Sequence, residues 1–399
     1  MPTASSPITP SPILHPQRPV SIERVRAWAV RTALPRPVGA GVSPLATRDY
    51  LCLEVTASDG VTGIGFSYIG TRGAESALAV FVELVRPVLE ACSADADDPA
   101  AVHLLLNEAT KIQGRSGIVM NVISAVDIAL WDAAARRRDL TLAACLGARA
   151  TSVAAYASGG YYLSADGLPE LEDELRAWTE LGFTRMKLKM RGGSEASETE
   201  RLRMARSALG DEGLLLIDLY HAFQEKADAV AFARRAEAFR PYWIEDPFQP
   251  DDVSAFAWFA RQVGCHVATG EFQSNPVAFR HIASTGAASI IQAEAPRCGG
   301  VTGWLTLAAE MATAGLAMSP CWFHQLHMHL VPAVANGLFV EYFHGTDVLN
   351  FDLLIDEPPR VTGSRVLIPE RPGLGFGFDG DFIAAHAAGT VDARVPGRS

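Results

Sequence analysis

Lys187 and Lys189 lie two residues apart in the short apolar stretch TRMKLKM, residues 184–190. In an extended strand alternate side chains share a face, so both ammonium groups leave a segment built for burial on the same side. Downstream, Asp218, Glu245, Glu271, Glu294 and Glu341 each stand in or at the end of an apolar run: GLLLIDL, YWIEDP, HVATGE, SIIQAEA and LFVEYF. A carboxylate in such a run is costly to bury without a partner. Asp218, Glu245 and Glu271, if brought together, repel one another unless a divalent cation lies between them. A ligand set made only of oxygen selects Mg2+ (or Mn2+) over zinc. A lysine beside a second lysine and a bound dication has its charged form disfavoured and can act as a base. Metal and amine together suit removal of a proton next to a carboxylate, where the cation offsets the charge of a dianionic enediolate. The plainer alternative is that the acids cap helices or join salt bridges, the lysines pairing with two of them.

The elements that must position these residues are legible as a regular alternation. Apolar runs recur at VAAYASGG (153–160), TRMKLKM, GLLLIDL (213–219), YWIEDP (242–247), HVATGE (266–271), SIIQAEA (289–295), LAMSPC (316–321) and LFVEYF (338–343), with helical stretches such as ADAVAFARRAEAF between most of them. Eight strands separated by helices predict a (β/α) barrel, in which chemistry sits at the C-terminal strand ends. A doubly wound open sheet fits less well, because no glycine-rich phosphate loop follows any strand. Residues 22–68 read as strands with an SDG turn, and 73–146 as helices, including one that runs from NVISAVDIALWD to Gly147. The barrel is thus preceded by an α+β unit, and residues from about 350 on read as a segment returning to it.

Composition narrows the partners. The chain has 399 residues, 49% hydrophobic, with a formal net charge of −11 and a pI near 5.4. That balance argues against nucleic-acid or anionic-membrane binding. Six scattered cysteines without a CxxC pair read as reduced thiols of a cytoplasmic protein. No signal-peptide run is present, and no stretch is expected to reach the roughly 18 apolar residues of a membrane span. Residues 1–20, rich in Pro and Ser, read as a flexible tail.

Taken in order, SAVDIALWDAAARRRDLTLAACLG, MKLKM, WIEDP, TGEF and CGGVTGW resemble motifs of the enolase superfamily, specifically the mandelate-racemase-like branch of the mandelate racemase/muconate lactonizing enzyme family. The resemblance spans nearly the whole chain. It implies a (β/α)7β TIM-type barrel (148–350) beneath an α+β capping domain (21–147) that is completed by the C-terminal segment (351–399). It also implies Asp218, Glu245 and Glu271 as Mg2+ ligands and Lys189 as the base, with Lys187 tuning it or touching the substrate carboxylate. Glu341 matches an acid that hydrogen-bonds that carboxylate. The family's opposing Asp/His dyad corresponds here to Glu294 and Cys321, and a thiol cannot replace a cationic imidazole. His324 is the nearby histidine early enough in its helix to reach the barrel mouth, whereas His327 and His329 read as structural. Tyr161 and Tyr162 either line the pocket or pack beneath the capping domain, and Arg297 either holds a substrate carboxylate or pairs with Glu294. Residues 32–49 correspond to a substrate-covering loop. The implied activity is dehydration of a sugar acid (aldonate or aldarate), a small hydroxy-carboxylate, to a 2-keto-3-deoxy acid, by a homo-oligomer. A racemase, epimerase or cycloisomerase of the same superfamily is the alternative, and a non-catalytic barrel that binds Mg2+ and an acid is the alternative from another class.

Overall fold

The structure, a computed structural model, describes residues 20–38, 45–91, 95–162, 167–191 and 193–395. Nearly all of the expected tail, and the tip of the expected covering loop at residues 39–44, lie outside these. Three strands open the described chain: β1 (Ile22–Val38), β2 (Leu45–Ala57) and β3 (Thr62–Gly70). They pair as antiparallel neighbours, so most of segment 32–49 is not loop but the two arms of a long hairpin.

The helix Gly117–Arg137 lies across β3 and β2. Two glycines permit this close approach. A Cβ at Gly65 would stand 1.9 Å from the Ala125 carbonyl oxygen, and one at Gly63 2.0 Å from that of Ala129. Against the sequence expectation, this helix is long and apolar enough to cross a membrane by length and composition, but 89% of its apolar window is buried inside the protein. Nor does it run on to Gly147. Asp139 adopts a left-handed φ of 53°, the Leu140 amide donates back to Ala135, and Thr141 caps a separate short helix, Leu142–Cys145. Those bonds satisfy the helix end, so the chain turns where periodicity alone would carry it forward.

The alternation that follows is a barrel. Its staves are β4 (Ser152–Gly159), β5 (Arg185–Lys189), β6 (Leu214–Asp218), β7 (Pro241–Glu245), β8 (His266–Thr269), β9 (Ile290–Ile291), β10 (Ala317–Met318) and β11 (Val340–Tyr342). Each pairs in parallel with the next from β4 to β10, and β11 pairs in parallel with β4. The seam between β10 and β11 is closed by Leu338 donating to Met318 and Met318 to Asn336, both 2.8 Å. A helix follows each of the first seven staves, the (β/α)7β pattern. Inside, Tyr156, Leu216, Trp243, Ala268, Ile290 and Phe339 form a dry layer separate from the main core. That layer blocks the bore and forms the floor on which the polar side chains stand.

After the barrel come β12 (Val361–Thr362), β13 (Arg365–Leu367) and β14 (Ala387–Arg394). The segment is shared between both units: β13 pairs antiparallel with the start of β4, while β14 adds to the outer edge of β1, giving the sheet order β14-β1-β2-β3. Asp132 fastens the junction, accepting from the amides of Ile64 (2.8 Å) and Leu374 (2.7 Å) and from Arg136 (2.7 Å).

Gly65→Ala is expected to force the helix Gly117–Arg137 off β3 and to lower stability by about 1–3 kcal/mol, read as a lower urea midpoint. An unchanged midpoint would contradict the close packing described.

Candidate active site

Side chains alternate across each stave, so the inward series on β5 is Lys187 and Lys189, in register with Leu216 and Asp218 of β6. Asp218 is aligned in turn with Glu245 of β7. Glu271 follows the end of β8, and Glu341 sits on β11, beside β4. All six polar side chains are buried. Lys187 lies between acids, 2.8 Å from Glu245 and 2.7 Å from Glu341, with Asp218 at 3.7 Å. Lys189 contacts Asp218 directly and lies 4.8 Å from the centre of the Tyr220 ring. The remaining oxygens of two acids are held from the walls: Trp243 donates to Glu245 (3.1 Å) and the Trp322 amide to Glu341 (2.7 Å).

The lysines therefore do pair with the acids, as the plainer reading expected. Burial lowers both ammonium groups, but the surrounding carboxylates, Glu245 for Lys187 and Asp218 for Lys189, hold them well above the ordinary lysine value. The expected depression concerns a lysine beside a bound dication, whose charge would oppose that of these carboxylates. The acids respond to one another. Burial and then Asp218 raise Glu245, and burial pushes Glu271 up to about 7. Asp218 is itself buried, yet the two lysines carry it down to about 2.

Among the described residues no three His, Cys, Asp or Glu side chains converge as a finished ligand cluster. The donors nevertheless fit a hard dication. They are carboxylate oxygens on consecutive staves, and Glu271 Oε1 is buried without a hydrogen-bond partner, a position that a cation would satisfy.

Across the mouth stands Glu294, just beyond β9. Its Oε2 lies 3.4 Å from Arg297 Nε, while Oε1 is buried and unpartnered. Burial pushes this carboxyl up to about 7, with Arg297 opposing. Of the two expectations for Arg297, the structure shows the pair with Glu294. Cys321 is fully buried, 3.5 Å from the Gln292 carbonyl, and burial keeps its thiol well above the ordinary value. His324 is not brought to the lysines. It packs edge-on against Tyr342, one residue from Glu341 and so on the other face of β11, with both ring nitrogens unpartnered. His327 accepts from the Ala295 amide (3.0 Å) and pairs through Nδ1 with the Trp322 carbonyl, tying the end of β9 to the loop after β10. His329 bridges Ala143 and Leu374. The two tyrosines part company: Tyr161 approaches Lys189, its ring centre at 5.8 Å, whereas Tyr162 donates to Glu198 (2.8 Å).

Sequence reasoning missed several residues of the mouth. Ser158 and Gln292 point inward with Oγ and both amide atoms unpartnered, and stepping back by two from Gly160 or Glu294 finds them. Arg48, Tyr68 and Trp322 gather over the mouth from two domains, and no local pattern announces that. Backbone at the strand ends is held at positive φ in Tyr220 (42°), His221 (61°), Asp246 (43°), Trp322 (56°) and Phe323 (32°). Such strain in non-glycine residues collects at functional sites.

The motif of lysines, stave-end acids and two-part cap matches known proteins along most of its length. Residues 23–147 match the mandelate racemase/muconate lactonizing enzyme N-terminal domain, and residues 170–382 the enolase C-terminal domain-like model. The chain belongs to the mandelate racemase/muconate lactonizing enzyme family of the enolase superfamily. It is 30% identical over 333 residues to the L-talarate/galactarate dehydratase of Salmonella typhimurium, covering 84% of this chain and 81% of that one. It is 28% identical to the 3,6-anhydro-alpha-L-galactonate cycloisomerase of Streptomyces coelicolor, over 92% of this chain and 100% of the relative. The crystal structure of the Salmonella dehydratase liganded with Mg and L-lyxarohydroxamate superposes with a TM-score of 0.87 at 27% identity, covering 98% of both chains. That of an L-talarate dehydratase from Polaromonas, complexed with Mg and L-glucarate, gives 0.86 at 29%, covering 94% and 99%.

Burial holds His327 and His329 down to about 4, against an ordinary value of 6.5, so both are neutral when folded near neutral pH. A depressed folded value means that the stability is intact above 6.5 and lost progressively as pH falls toward 4. Thermal melts across that window are expected to fall with pH, and less steeply in His327→Gln; parallel curves for the two proteins would contradict this.

Proposed function

We propose that the protein dehydrates a sugar acid to its 2-keto-3-deoxy acid, with Lys189 as the base and Glu294 as the acid. One observation carries this reading. Lys189 ends the second stave and Glu294 follows the sixth, so a buried amine and a buried carboxyl face each other across an eight-stranded barrel, with Asp218, Glu245 and Glu271 on the arc between. The family membership and the dehydratases among the relatives support it. Asp218, Glu245 and Glu271 would hold Mg2+, which when bound supplies positive charge beside the substrate carboxylate and neutralises the acids that otherwise keep Lys189 protonated.

Lys189 Nζ then takes the proton from C2 of the substrate. Glu294 gives its proton to the hydroxyl on C3, which leaves as water as the C3–O bond breaks and the C2=C3 bond forms. The resulting enol takes a proton at C3 and becomes the ketone. Base and acid on opposite walls remove hydrogen and hydroxyl from opposite faces. Lys187, clamped between Glu245 and Glu341, positions those acids rather than reacting. A cycloisomerase reading rests on the Streptomyces relative, and its product, an isomer without loss of water, separates the two.

Incubation with a panel of sugar acids in deuterated water is expected to give solvent-derived deuterium and a keto acid, both abolished by chelation and restored by Mg2+. Lys189→Ala should abolish both, and exchange persisting in that variant would exclude it as the base. Glu294→Gln should lower keto-acid formation by about 100-fold or more. Glu294 must be protonated to act, so turnover is expected to fall as pH rises through about 7, and Glu294→Gln should lack that limb.

A further inference from the structure

The base and the acid of the mouth are supported in different ways. Lys189 belongs to the ladder of β5 and is paired in register with Asp218 of β6. Glu294 belongs to no ladder. Its stave β9 is the short pair Ile290–Ile291, and Glu294 lies beyond it, on the turn that leads to the helix Gly300–Thr313. Within that turn the amides of Arg297 and Cys298 both donate to the Glu294 carbonyl (3.0 Å each), and that of Gly300 donates to Ala295 (2.9 Å). Arg297, the charged partner of Glu294, rides on the same turn.

The barrel holds the near half of the turn. Trp304 donates to the Ala293 carbonyl (2.9 Å) and the Ala295 amide to His327 (3.0 Å). The far half is held from the other domain. Ser67 of β3 donates through Oγ to the Pro296 carbonyl (2.6 Å), the peptide that separates Glu294 and Arg297 from the rest of the loop. From the helix Gly117–Arg137, Ser124 accepts from the Gly299 amide and Asp127 from the Thr302 amide, both 2.9 Å. Ser67, Ser124 and Asp127 are all at most 1% exposed, so water does not compete for these bonds.

The approach of the two domains here leaves no room for side chains on the turn. Gly299 and Gly300 adopt left-handed φ values of 102° and 71°. A Cβ at Gly299 would stand 2.9 Å from His103 Cε1, and one at Gly300 would run into the Asp127 carboxylate. His103 Nδ1 lies 3.6 Å from the second oxygen of Asp127, so the capping helices meet each other as well as the turn. A shift of the capping domain is therefore passed to the turn that carries the acid, whereas Lys189 is held by its neighbouring staves.

We propose that Ser67 and Asp127 are positioning residues for Glu294, so that the capping domain sets the acid while the barrel's own ladder sets the base. The assignment rests on the dehydration reading above and divides its two proton steps between two supports.

The test counts two products in deuterated water, using a sugar acid that the wild type dehydrates. Deuterium returned to C2 of recovered substrate calls on Lys189 alone, whereas keto acid calls on Glu294 as well. In Ser67→Ala the ratio of exchange to dehydration is expected to rise about fivefold or more, because keto-acid formation falls while exchange persists. Asp127→Leu should raise it further, and Asp127→Asn, which keeps an acceptor for the Thr302 amide, should lie near the wild type. Loss of stability alone lowers both products together. An unchanged ratio in Ser67→Ala would thus overturn the assignment, whether or not Asp127→Leu folds. If the wild type gives neither product with any sugar acid, it is the dehydration reading that fails. The tie is then judged by amide hydrogen exchange: faster exchange across residues 295–302 of Ser67→Ala, with β5 unchanged, supports it, and wild-type rates across the turn overturn it.

Discussion

Two ammonium groups and several carboxylates share a volume from which water is almost excluded, and the rest of the molecule keeps them there. None of these charges is tolerable alone at such depth. Lys187 is acceptable because Glu245 and Glu341 flank it, and Glu341 is fixed in turn by the Trp322 amide. The same mutual dependence makes the site responsive. A cation held among Asp218, Glu245 and Glu271, as proposed, would redistribute the negative charge around Lys189 and so couple the metal to the proposed base. The aromatic floor beneath, with Trp243 both packing in it and donating to Glu245, makes the polar layer shallow and fixed in height.

The opposite wall is built differently. Where family resemblance leads one to expect an Asp/His pair, Glu294 and Cys321 stand together with Arg297. An imidazole is lost and a carboxyl gains a methylene. Burial compensates in part, because it makes Glu294 a group that holds its proton near neutrality without help from a histidine. His324 packs its ring edge-on against Tyr342 of β11. The histidines of this helix serve architecture: His327 links the ends of β9 and β10, and His329 links the barrel to the capping domain.

The eight staves and the acids at their ends were readable because strand burial leaves a strong signal. A charge interrupting an apolar run is conspicuous, and two lysines at i and i+2 must share a face. Periodicity was weaker where local bonds override it. The helix Gly117–Arg137 stops where it does because Asp139 and Thr141 offer the chain a turn and a new cap, and the apolar length of that helix says nothing of whether sheet or lipid covers it. The contact of His324 with Tyr342 was not legible for a geometric reason: a residue near a strand end can emerge on either face of the wall, and sequence distance does not choose between them.

The sequence by itself determined the barrel, the order of its charged staves and the kind of ion and reaction those charges suit, because each follows from local pattern and residue chemistry. Only the tertiary structure decided which charges are paired. Lys187 finding two acids, and Glu294 keeping one oxygen bare and Arg48 finding no acid among the described residues, depend on residues up to hundreds of positions apart meeting in a space without water. Electrostatic energy depends on distance and burial, and neither is written in any short stretch of chain.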